Sequence, residues 1–128
     1  MAGPGEDWIP HIREGKSRFD GTDIPLALDA SLKRLQTDYL DLYQLHWPQR
    51  ETNFFGKLGF DAPANEVLTP IMETLVALGE QIKAGKIRHI GLSNETPWGV
   101  MQFLHCAEQA GLPRIVSVQN PYCLLNRT

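Results

Sequence analysis

The feature that most constrains this chain is an alternation. Three short apolar runs, Tyr39 to His46, Ile87 to Asn94 and Ile115 to Gln119, are each preceded by a stretch with helical spacing. The runs are rich in aliphatic, β-branched and aromatic residues, as expected of buried strands. In the first helical stretch Thr22 or Asp23 can supply the cap and Pro25 fits the first turn, where a missing N–H costs nothing. Leu28, Leu32 and Leu35 then recur at i, i+4 and i+7, with Lys33 and Arg34 near the negative end of the dipole. The second opens at Thr69-Pro70, carries Ile71, Leu75, Leu78 and Ile82 as its stripe, and stops at Gly85. Thr96-Pro97 opens the third, with Val100, Leu104 and Ala107 on one face and Gly111 and Pro113 at its close. Helix and strand alternating with short links predict an α/β fold with a parallel sheet covered by helices. Pattern alone leaves a closed barrel and a doubly wound sheet open. No Gly-x-Gly-x-x-Gly follows any strand, which weakens the dinucleotide-fold form of the second option.

Composition narrows the class. A hydrophobic fraction of 42% with 21% charged residues suits a packed domain and argues against disorder. The length of 128 residues is about half of the ~250 residues of a typical (β/α)₈ barrel. A net charge of -3 provides no basic footprint for nucleic acid. No apolar stretch approaches the ~20 residues that span a bilayer, and the N-terminus lacks the basic and apolar regions of a secretory signal. Cys106 and Cys123 fit neither a CxxC nor a disulfide-dense pattern, so a cytoplasmic setting is expected. Residues 1–22 read as a loop, and residues 47–67, without periodicity, as a second one. A connection that long is unusual in a compact βα unit and often functional.

Ligands of parallel α/β folds bind at the carboxyl ends of the strands. That rule selects His46-Trp47, Ser93-Asn94 and Gln119-Asn120, with the 47–67 loop leaving the same rim. The groups on offer are imidazole, indole, hydroxyl and amides, which suit a neutral amide or carbonyl better than phosphate or metal. Each has a plainer role available. Ser-Asn ahead of a helix is a common capping sequence, Asn-Pro a favoured turn dipeptide, and a lone histidine often structural. Gln119 is harder to dismiss, because an amide at the end of a buried strand must find partners. His11, His89 and His105 match no metal-binding spacing, so no metal site is expected. Lys83, Lys86 and Arg88 read as solvated charges at a helix C-terminus.

Three segments, SLKRLQTDYLDLYQLHWP, GKIRHIGLSN and VQNPYCLLNR, resemble the aldo-keto reductase superfamily, most of all its bacterial Tas-like branch. The resemblance runs from about residue 23 to residue 128 and implies part of a (β/α)₈ TIM barrel, strands four to six with their helices, as a fragment of one oxidoreductase domain spanning 1–128. It implies that His46 bonds the substrate carbonyl oxygen, that Ser93, Asn94 and Gln119 hold the nicotinamide carboxamide, and that Trp47 lines the substrate pocket. The parent activity implied is reversible NADPH-dependent reduction of an aldehyde or ketone, with NADH not excluded by any residue present. By the same resemblance the catalytic aspartate, tyrosine and lysine lie outside this chain, which starts one strand too late and is expected to be inactive. A non-catalytic nicotinamide-binding or regulatory module is the alternative, and a structural fragment without a ligand the third.

Overall fold

The computed structural model describes residues 1–3, 18–50, 52 and 69–125. Its elements are α1 (Asp23–Leu35), β1 (Leu40–Leu45), α2 (Ile71–Lys83), β2 (Ile87–Ser93), α3 (Pro97–Ala110) and β3 (Ile115–Gln119). The order and type match the sequence reading at every element. Most of the two expected loops, residues 4–17, 51 and 53–67, lies outside the described residues.

The strands form one parallel sheet in the order β1-β2-β3. Leu42 stands opposite His89 and Leu45 opposite Leu92; Ser93 stands opposite Gln119, beyond an irregularity at Ile90 and Gly91. Alternation along each strand sorts the side chains. Tyr43, Leu45, Ile90 and Leu92 join the core with Leu28, Leu75, Leu78 and Phe103 from the helices. Leu42, His46 and His89, on the opposite face, are exposed. On that face Gly91 makes room for its neighbours: a Cβ there would overlap the Ser117 hydroxyl and stand 3.0 Å from Gln44 Cγ.

Local chemistry explains the helix boundaries and corrects four expectations. Thr22 sits at the N-cap of α1 without a capping side-chain bond. Asp20 does that work instead, its Oδ1 accepting from the Thr22 and Asp23 N–H groups at 3.0 and 2.8 Å. Pro70, not Thr69, occupies the N-cap of α2, and the Thr69 hydroxyl accepts from Gln49 Nε2. Thr96 does cap α3, accepting from Gly99 N at 3.1 Å. At the end of α2, Gly85 takes φ 74°; its N–H reaches Ile82 O while that of Lys86 reaches Gln81 O, a Schellman closure. The buried stripe of α1 is Ile24, Leu28 and Leu32, and Leu35 is 62% exposed. The helix has turned by then and α1 ends at Gln36 in the left-handed region. On α3 the buried residues are Gly99, Phe103 and Ala107, one position earlier than the expected Val100 and Leu104, which are half-buried.

The charges that read as solvated are at the surface, and each has an ion-pair partner there. Lys83 meets Glu80, Lys86 meets Asp29, and Arg88 meets Asp41 while lying over the Tyr39 ring. These pairs are exposed and contribute little each. At the outer edge of β1, the Met1 amino group donates to Gln44 O at 2.7 Å and Met1 O accepts from His46 N at 2.8 Å. These two bonds have the pattern of a parallel bridge, and burial lowers the Met1 amine to a pKa of about 6. No helix among the described residues is long and apolar enough to cross a membrane.

Candidate functional site

The strand-end residues meet through backbone carbonyls. Asn94 follows β2 with φ 53°, left-handed and rare outside glycine, but tolerated by asparagine. That turn lets its N–H donate to Gln119 O at 2.9 Å. Its side-chain Nδ2 reaches the other way, to His46 O at 2.8 Å. The Ser93 hydroxyl donates to the same Gln119 carbonyl at 3.0 Å and accepts from Asn94 Nδ2 at 3.2 Å. Three strand ends are thus tied at Asn94, which sits between the residues expected on either side of a ligand.

The acceptor Oδ1 of Asn94 and the whole Gln119 amide carry no hydrogen bond among the described residues, and Gln119 is exposed. Both remain available to a ligand. Ser93 is nearly buried. His46 is exposed on the open face, its ring 4.7 Å from that of Trp47. Partial burial, and secondarily the positive Met1 amine, lower the His46 pKa from its ordinary value, which favours the neutral imidazole near pH 7. A neutral imidazole carries one N–H that can donate to a carbonyl oxygen. Among the described residues there is no group of three or more His, Cys, Asp or Glu side chains able to hold a metal.

Trp47 is only 2% exposed. Its ring packs over Gly3, where any Cβ would strike the indole. It also borders a cavity of about 350 Å³, together with Phe19, Leu45, Leu92, Trp98 and Phe103. Leu45, Leu92 and Phe103 face the helix layer, so this space lies largely behind the sheet. Of the expected site residues only Trp47 and Ser93 reach it. The cavity and the rim are therefore distinct features, and the Asn94 and Gln119 amides and the His46 imidazole belong to the rim.

At the rim, Asn120, expected there, joins a pair that the sequence reading missed, Arg50 and Glu95. The carboxylate of Glu95, 4% exposed, receives both guanidinium nitrogens of Arg50. Arg50 also donates to Thr96 Oγ1 at 3.0 Å and lies 5.0 Å over the Trp98 ring. Asn120 joins from β3, accepting from Glu95 N at 3.1 Å and donating to Glu95 O at 2.8 Å. Glu95 follows Ser-Asn directly and precedes a helix, where an acidic residue reads as an ordinary first-turn charge. Only its burial sets it apart, and neither residue spacing nor periodicity carries that signal.

The comparisons with known proteins bear on the family and the fold. The model of the aldo/keto reductase family matches residues 10–128. Protein tas of Escherichia coli strain K12 is 54% identical over 128 residues, all of this chain and 37% of that protein. An aldo-keto reductase of Babesia bovis is 43% identical over 123 residues, 91% of this chain and 43% of its own length. The chain thus spans well under half of these relatives. Among solved structures, the glycerol dehydrogenase of Gluconobacter oxydans superposes with a TM-score of 0.61 at 27% identity, over 85% of this chain and 26% of its own. A thermostable aldo-keto reductase solved with the inhibitor epalrestat does so with 0.56 at 31% identity, over 82% of this chain and 31% of its own. With three parallel strands and alternating helices matching part of such structures, the chain belongs to the aldo/keto reductase family.

Proposed function

We propose that this chain is the nicotinamide-seating part of an NAD(P)H-dependent carbonyl reductase, its strands corresponding to the fourth, fifth and sixth of a (β/α)₈ barrel. The observation that carries the reading is the Asn94 junction, which fixes Ser93, Gln119 and His46 around one point while leaving amide groups free. The donor set fits a carboxamide. Such a group offers one acceptor and two donors, and Asn94 Oδ1, the Gln119 amide and Ser93 Oγ supply the complements without a charge. Bound NAD(P)H would supply the hydride. The work of this chain's residues is to hold the ring plane and to polarise the carbonyl: His46 donates to the carbonyl oxygen, and Trp47 walls the substrate side.

Hydride addition leaves an alkoxide that must gain a proton. Tyr43 faces the helix layer, Tyr39 lies under Arg88 and Tyr122 is exposed past β3; all three sit in motifs to which the resemblance gives no proton-donor role, so the proton donor is assigned to the parent protein outside these residues. NADPH is the expected cofactor, a small aldehyde or ketone the substrate, and the cytoplasm the expected location. The purified 128-residue chain is expected to bind reduced nicotinamide weakly without turning over carbonyls. Titration with NADPH followed by amide NMR should move Ser93, Asn94 and Gln119 together with the His46 ring. Shifts confined to Trp98 and Phe103, or none at millimolar NADPH, would defeat the seating role, and steady aldehyde turnover would defeat the assignment of the proton donor.

A further inference from the structure

The Arg50–Glu95 pair is built more carefully than a stabilising ion pair needs to be. Glu95 is nine-tenths buried and Arg50 largely so, and isolated burial of such charges is costly unless every partner is met. Here they are met. The carboxylate takes the two-pronged guanidinium and the Thr96 N–H at 2.6 Å, while the guanidinium continues to Thr96 Oγ1 and the Trp98 ring. Space is made for it as well. A Cβ at Gly99 would strike both the Glu95 carboxylate and the Arg50 guanidinium.

Its position gives it a use. Arg50 belongs to the segment that leaves β1 through His46 and Trp47, whereas Glu95 directly follows Ser93 and Asn94. The Glu95 backbone is gripped in turn by the Asn120 side chain, one residue beyond Gln119. The cluster therefore joins the same three strand ends as Asn94 does, from the next residue along. Asn94 has to hold a left-handed turn, a conformation that persists only when its surroundings over-determine it.

We propose that Arg50 and Glu95 form a positioning latch that locks the His46–Trp47 strand end to the Ser93–Asn94 turn, with Asn120 extending the lock to Gln119. This deepens the nicotinamide reading above and takes its purpose from it. Neither residue touches the cofactor or substrate; they act through the backbone of the residues that do. The chemistry needs a rigid seat, since small misplacements of a bound ring are amplified in hydride transfer.

Amide hydrogen exchange in the 128-residue chain tests the latch without relying on a ligand. Glu95→Gln and Arg50→Lys should each speed exchange of the Asn94 and Glu95 N–H groups by about tenfold or more. The Leu40 N–H, bonded to Lys86 O at the far end of the sheet, should keep its rate. A merely structural pair would accelerate all three alike, and that outcome, or no local change, overturns the proposal. Should Glu95→Gln leave a charge so poorly paired that the chain unfolds, the double variant Arg50→Gln, Glu95→Gln removes both charges and is judged by the same local acceleration. NADPH titration of the same samples separates the two claims. Loss of affinity in the variants supports the latch as a device for the seat. Absence of binding by the unaltered chain defeats the nicotinamide reading while the exchange rates still decide the latch.

Discussion

His46 and Met1 share one strand end, and each binds a proton less readily in the fold than in an open chain. Burial is the main cause for both, and the Met1 charge adds to it at His46. The amine falls from 8.0 to about 6, so between those values the unfolded state holds more protons than the native one. Unfolding then takes up protons, and stability rises with pH through this window. His46 adds a loss in the same direction as pH falls through and below its ordinary value of 6.5. The expected outcome is a urea midpoint that is flat above pH 8 and falls by an amount worth on the order of 2 kcal/mol towards pH 6. Acetylating the amino group should remove most of the slope, leaving the histidine part. A flat profile between pH 6 and 8 would contradict the burial assigned to these groups.

At the scale of elements, helix starts are decided by single side chains, and the structure reassigns two of them. Asp20 bonds the first turn of α1, whereas Thr22, two residues on, offers no side-chain cap. Asp20→Ala should therefore cost about 1 kcal/mol, while Thr22→Ala should stay within about 0.5 kcal/mol. Paired denaturation curves check this, and equal costs would return the cap to Thr22. Such swaps show what was legible in the sequence. All six elements were, because period and punctuation are local properties, and Gly85, Thr96 and Gly111 acted as read. On α3 Ala107 is buried as expected, but Gly99 and Phe103 are buried in place of Val100 and Leu104, because adjacent positions such as Phe103 and Leu104 both fit a helical period and only the packing partner chooses between them. The strand-end rule found the rim, since topology alone sends those residues there. Asn94 as the junction was not legible, because its role rests on a backbone angle. Nor was the Arg50–Glu95 pair, whose members lie 45 residues apart and look like solvated charges until burial is known.

At the scale of the molecule, the described residues form a three-stranded parallel sheet with its helices on one face. Parallel sheets are ordinarily covered on both faces, yet Leu42, His46 and His89 stand exposed on the other. Past β2 the helix layer thins too. Val116 and Val118 on β3 are 59% and 43% exposed, as are most of Tyr122, Leu124 and Leu125 beyond it. A strand edge of this kind is a template for pairing with another chain, and its apolar side chains add a driving force of about 25 cal/mol per Å² covered. The 128-residue chain on its own should therefore associate with itself, with a light-scattering mass that rises with concentration and a melt that is broad or irreversible. Val118→Lys tests the cause. The residue contributes nothing to the core cluster, so the fold should survive, while a charge on the exposed edge should shift the population towards monomer. A sharp, reversible monomeric melt of the unaltered chain would show that the open face and edge are tolerated. Association unchanged in the lysine variant would instead move the contact from β3 to the uncovered face around Leu42 and His89.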